Sequence, residues 1–345
     1  MEAAPHLSKH RSPSNLYIAN CIYANAVEYL AKDEDTHGIV QLLLGQLYRN
    51  QSQDGGWSWL SGGKSESDPY VSRRILQRLG EMSSLNDAIP VKRLRMILEK
   101  GGNFLAKQIR LIDNDTTRSE AMDYEALDYL YVYSLVASPE QIDSATSCSI
   151  NRIVRKIMGQ RSKIVSLRAR AQLSLVALRL GDTALAIDEA TRLKESAIVS
   201  DELGMYWRDN FQGLSWWNRS LETQALLVEV FASVLHDWES VAMLQQWILQ
   251  QKRTTTWGSD MATVSAIHAL LKHPHNTTIN SQFSIHYPQF SIPNSQFPTN
   301  QPLSEVCWVG PEAEEQNETV ANIDNMTAEQ MKQILKEMMN KGVKF

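Results

Sequence analysis

A chain of 345 residues with 43% hydrophobic and 21% charged residues is long enough for one large domain or two smaller ones, and its composition is ordinary for a globular protein. A net charge of −5 offers no electrostatic reason for a nucleic-acid or anionic-membrane partner. No apolar run approaches the ~20 residues of a membrane helix, and the cysteines Cys21, Cys148 and Cys307 are too widely spaced to make a disulfide framework.

The opening residues, MEAAPHLSKHRSPSN, are basic without an apolar stretch behind them, so 1–14 reads as an extension and not as a signal peptide. From 15 to 273 helical spacing dominates. "NCIYANAVEYLA" sets Ile22, Ala26, Tyr29 and Leu30 on one face, and "HGIVQLLLGQLYRNQ" continues with Ile39, Leu43 and Leu47. "PYVSRRILQRLGEM" has proline in its first turn and ends near Gly80. In "VKRLRMILEKGGNFLAKQI" the Gly101-Gly102 pair invites an interruption. "SEAMDYEALDYLYVYSLV", "RARAQLSLVALRLG", "DTALAIDEATRLKESAIV", "RSLETQALLVEVFASVLH", "SVAMLQQWILQQKR" and "DMATVSAIHALLKH" keep the same spacing, and strand alternation is almost absent. The pattern predicts an all-α domain of about ten or eleven helices arranged as hairpins.

An internal repeat marks the hairpin corners. "WILQQKRTTTW" overlays "LYRNQSQDGGW", with Gln251 on Gln51 and Trp257 on Trp57. Recurrent hairpins of this kind build α-solenoids or closed toroids. The character changes near Lys272. Residues 274–326 form a low-complexity and then acidic linker, in which QFSIHYP, QFSIPNS and QFPTNQP follow one another. Thr327 and Gln330 then open a C-terminal amphipathic helix at 327–342, striped with Met331, Ile334, Leu335, Met338 and Met339.

Motifs that carry chemistry are scarce. Gly63-Lys64-Ser65 resembles the end of a phosphate loop, but the first glycine of that motif falls on Ser58 and no strand precedes it. His268, His273 and His275 lack metal-site spacing, and His268 sits in a helix that reads as core-facing. Asp113 and Asp115 read as an Asx-turn before a helix. Asp123 and Glu125 read as solvated carboxylates. No cofactor or metal is expected. The richest signal is tryptophan. Trp57, Trp59, Trp207, Trp216, Trp217 and Trp257 all stand in or beside turns, either sealing hairpin ends with their indole N–H on a carbonyl or forming an aromatic contact surface.

Four phrases in order, "DGGWSWLSGG", "ELGMYWRDN", "WWNRSLETQALLVEVFASV" and "WILQQKRTTTWGSDMATVSAIHALL", resemble the thioester-containing domain of bacterial alpha-2-macroglobulin-like proteins, and "SNLYIANCIYANAVEYLA" resembles its first helix. The likeness covers about residues 10–273 and implies an α/α toroid from an endopeptidase inhibitor of the periplasm or cell envelope. Its partners would be proteases or the rest of a larger macroglobulin-like protein. The family's covalent capture needs a cysteine and a glutamine three residues apart. Here Cys21, Cys148 and Cys307 are followed at that spacing by Ala24, Asn151 and Gly310, so no thioester can form within this chain. The expectation is a non-catalytic domain of such an inhibitor, truncated from a larger protein, acting by scaffolding or non-covalent protein contact. The alternatives are a toroid enzyme acting on carbohydrate or isoprenoid substrates and a helical-repeat interaction module.

Overall fold

The computed structural model describes residues 14–32, 37–60, 66–85, 89–117, 124–137, 142–211, 219–252 and 256–272. The linker at 274–326, the C-terminal helix at 327–342, Gly63-Lys64-Ser65, Asp123, Trp216, Trp217, His273, His275 and Cys307 lie outside these residues.

The described residues are mostly helical. They form α1 (Asn15–Lys32), α2 (His37–Asn50), α3 (Pro69–Glu81), α4 (Val91–Asn114), α5 (Tyr124–Val136), α6 (Ser144–Gly159), α7 (Leu167–Arg179), α8 (Thr183–Glu195), α9 (Ser220–Val230), α10 (Trp238–Gln250) and α11 (Asp260–Lys272). Side-chain caps fix several starts. Asp68, Asp143, Ser166, Asp182, Asp237 and Ser259 each accept the backbone N–H three residues on, and Pro69 follows its cap directly, where a missing N–H costs nothing. One antiparallel hairpin, β1 (Ile198–Ser200) with β2 (Gly204–Tyr206), pairs Ile198 with Tyr206. Its strands are too short to show alternation in the sequence.

Burial separates the helices into two layers. α3 is buried from Val71 to Glu81 and α5 from Ala126 to Val136, on every side. α2 is buried along one stripe, Val40, Leu44, Gly45 and Leu47. Helices buried all round lie inside the fold, and helices with a single buried stripe lie outside it. The α2 stripe lies one residue off the expected Ile39–Leu43 line, and Ile39 is 48% exposed. Leu42, Leu43 and Leu44 allow either stripe, and packing on α1 selects the second.

Contacts follow this alternation. Each odd-numbered helix packs on the next, α1 on α3, then α5, α7, α9 and α11, and α11 returns to α1. Four of the even-numbered helices among the described residues pack onto this cycle, α2 on α1, α4 on α3 and α5, α8 on α7, and α10 on α9, while α6 packs on α4. Side-chain pairs between odd helices join residues within about one turn of equal depth from the helix starts. Arg73, fifth in α3, meets Asp128, fifth in α5, while Tyr23 and His268 are each ninth in α1 and α11. The odd helices therefore run parallel, with their N-termini at one end.

The glycine pair does not interrupt α4, which is continuous from Val91 to Asn114. A Cβ on Gly101 would stand 2.1 Å from Leu76 Cδ2, so this glycine is what lets α3 and α4 approach. Gly55, with φ of 90°, is tighter still, because a Cβ there would stand 2.1 Å from the backbone carbonyl oxygen of Lys100. Gly101→Ala is expected to cost roughly 1–3 kcal/mol in urea unfolding, as overpacking does. Gly55→Ala should cost more, since its neighbour is backbone and its φ disfavours a side chain. Equal losses at the two positions would contradict this account.

Candidate functional site

Three corners share one plan. After α2, α8 and α10 the chain turns and a tryptophan folds back on the helix just completed. Trp57 Nε1 donates to the Leu47 carbonyl at 2.9 Å, Trp207 Nε1 to that of Leu193 at 3.0 Å, and Trp257 Nε1 to that of Ile248 at 2.7 Å. Each acceptor lies in the last turn of its helix, where carbonyls lack intrahelical partners. The first and third corners match further. The backbone N–H of Trp57 donates to Ser72 Oγ and that of Trp257 to Thr263 Oγ1, each acceptor being fourth in the following helix. The sequence overlay of these two segments is thus a structural repeat.

These indoles are buried, at 0%, 3% and 4% exposure, so Trp57, Trp207 and Trp257 are not part of an aromatic contact surface. Trp59 is the open candidate among the described residues, at 52%.

Between the odd helices the core is charged. Arg74 of α3 pairs with Glu222 of α9, helices three steps apart either way round the cycle, so this pair spans the space the cycle encloses. Beside it Arg73 Nε lies 2.9 Å from Asp128 Oδ2, Arg168 lies 3.4 Å from Asp128 Oδ1, and Gln172 Nε2 donates to Oδ1 at 2.6 Å. Deeper along the helices Arg179 donates to Glu229 at 2.7 Å and to Ser134 Oγ at 2.9 Å. Arg78 pairs with Glu81 and donates to Ser265 Oγ at 3.2 Å. The Tyr23 hydroxyl meets His268 Nδ1 at 2.9 Å.

Burial by itself would raise the Asp128 carboxyl, but Arg168, Arg73 and Arg74 outweigh it and hold the group well below the usual carboxylate range. Burial likewise opposes ionisation of Glu222, and Arg74, Arg168 and Arg219 again prevail. A general acid needs the opposite shift, towards neutral pH. The set is suited to holding helices together and to presenting fixed charge.

The remaining candidates are accounted for locally. Glu125 is on α5, with an oxygen 3.5 Å from Arg73. Arg152 clasps Asp113, with Nε 2.9 Å from Oδ2. Asp115 accepts from the Thr117 N–H at 2.9 Å, so its Asx-turn closes α4 and does not open a helix. His268 is core-facing, at 8% exposure. Cys21 and Cys148 are buried, and burial pushes the Cys21 thiol up to about 11. Among the described residues no group of His, Cys, Asp and Glu could hold a metal, and no helix is long and apolar enough to cross a membrane. The arginines and acids of the centre were missed in the sequence. Their one signal is charge set singly inside apolar helices, as in "YEALDYLYVYSLV" and "SLETQALLVEV".

No protein-family model matches this chain, and no curated protein matches it.

Asp128→Asn leaves Arg73 and Arg168 under-neutralised in the core and is expected to cost about 3–5 kcal/mol at pH 7. The folded pKa of Asp128 is depressed, so its stabilisation is present above the unfolded value of about 3.9 and is lost as pH falls below that. Urea unfolding across pH 7 to 2 should show this acid-side loss in the parent and a shallower one in Asp128→Asn. Parallel curves would contradict the assignment.

Proposed function

We propose that this chain is a non-catalytic α/α toroid of the alpha-2-macroglobulin-like kind, acting by scaffolding or non-covalent protein contact and without thioester capture. The toroid part is supported by the cycle of contacts among the odd helices and by their parallel run. The family part rests on the four sequence phrases and their order. The observation that favours a non-catalytic centre is the Arg74–Glu222 pair, which occupies the enclosed space with charges that neutralise each other. A toroid enzyme for sugars or isoprenoids would instead need an open centre with a carboxyl raised towards neutral pH. Asp128 and Glu222 are shifted the other way.

Incubation with serine, cysteine and metalloproteases, followed by native and denaturing electrophoresis, tests this proposal. The expected result is co-migration with a protease on the native gel and no conjugate on the denaturing gel. A conjugate that survives denaturation would contradict the thioester argument. Turnover of a polysaccharide or an isoprenoid diphosphate by the chain would contradict the non-catalytic assignment.

A further inference from the structure

A cavity outside the charged centre lies where α4 ends, α5 begins and α6 ends, and holds about 60 Å³. A water needs about 10–15 Å³ of such space, so the cavity admits roughly four to six heavy atoms. Its wall has an apolar side and a charged side. Ile112 of α4 and Ile153 and Ile157 of α6 belong to the first. Asp113, Asp115, Arg152 and Lys156 make up the second, two anions with two cations. Glu125 stands at the start of α5 close by, and its carboxylate lies 3.5 Å from Arg73.

The four charges are not equivalent. The Asp113 side chain is 7% exposed and is neutralised by Arg152, whose Nε lies 3.1 and 2.9 Å from its two oxygens. Asp115 and Lys156 are exposed. Asp115 accepts the Thr117 N–H and hydroxyl on one oxygen, Oδ1, at 2.9 and 2.6 Å. Lys156 joins no ion pair among the described residues. A carboxylate and an ammonium thus line one small, partly apolar space without pairing with each other. Asp115 follows the carbonyl end of α4, which adds partial negative charge on that side, while Lys156 stands in the last turn of α6 and offsets the carbonyl end there.

A wall split in this way selects against simple ions. A lone anion meets Asp115, and a lone cation meets Lys156. An occupant that satisfies both carries an ammonium and a carboxylate a few atoms apart, and the space is that of glycine or alanine. We propose that this cavity binds a small zwitterionic α-amino acid, with its carboxylate on Lys156, its ammonium on Asp115 and its aliphatic side against Ile153 and Ile157. The bound amino acid ties the end of α4 to α6 and stabilises their contact in proportion to its concentration. The site is independent of the macroglobulin reading.

Amide-resolved NMR titration of the full chain with L-alanine at pH 7 tests this. Saturable shifts are expected at residues 112–115 and 152–157. Propionate and ethylamine, which each keep one of the two charges of alanine, should bind at least about tenfold more weakly, as expected for the loss of one charge-assisted contact. Lys156→Met and Asp115→Asn should each weaken L-alanine binding by at least about tenfold for the same reason. Both side chains are exposed, and asparagine keeps the Asx-turn, so the urea midpoints should stay at the parent value. No saturable shift, shifts centred elsewhere, equal binding of propionate or ethylamine, or indifference to either substitution would each overturn the proposal.

Discussion

A guanidinium and a carboxylate cross the middle of this fold. Arg74 is buried and Glu222 mostly so, at 11% exposure, and they stand on helices that are not neighbours in the contact cycle. Charges taken out of water need each other. Assembling such a pair gains little over an apolar filling, but separating it strands a charge in the core. The pair therefore specifies an arrangement more than it adds stability. A slip of α3 or α9 by one turn would leave both groups unmatched. The same logic repeats along the helices, at Asp128 with Arg73 and Arg168, and at Glu229 with Arg179. These pairs, each within about one turn of equal depth, hold the odd helices parallel.

The outer layer is held by different means. Three indoles close three helix ends, each buried ring donating to a carbonyl of the last turn. A corner of this kind joins the end of an outer helix to the approach of the next inner one. Ser72 and Thr263 strengthen the link by accepting the backbone N–H of Trp57 and Trp257. Charge inside and indoles at the corners make up the frame. The surface of the N-terminal end includes the Trp59–Tyr70 step and the half-buried Arg219.

The helices among the described residues other than α6 (Ser144–Gly159), which was not read as one, and the tryptophan corners were legible in the sequence because both have local signatures. The overlay of Trp257 on Trp57 is written in spacing, and the Asp68-Pro69 start is written in capping chemistry. The continuity of α4 was not legible. Gly101 looks like a breaker alone and makes sense only beside Leu76 of another helix. The charged centre was hidden for a related reason. "SRRILQRLGE" shows arginines among apolar residues, and nothing local distinguishes a solvated face from one paired with Glu222, which is 148 residues away. Burial of a charge depends on a long-range partner, and periodicity carries no information about partners. The three-residue strands of the β-hairpin were too short to leave a pattern.

The neutralised charge at the centre supports the proposal that the domain acts through its outside, as a scaffold or a protein-contact module. That assignment stands or falls with the pair that crosses the middle. A double-mutant cycle on Arg74→Met and Glu222→Leu, read by urea unfolding, measures it directly. Each single substitution should cost about 3–5 kcal/mol by stranding the other charge. The double variant should recover part of that loss, giving a coupling of roughly 1–3 kcal/mol. Strictly additive losses would show that the two side chains do not meet across the centre, and the account of a closed, charge-filled middle would fail.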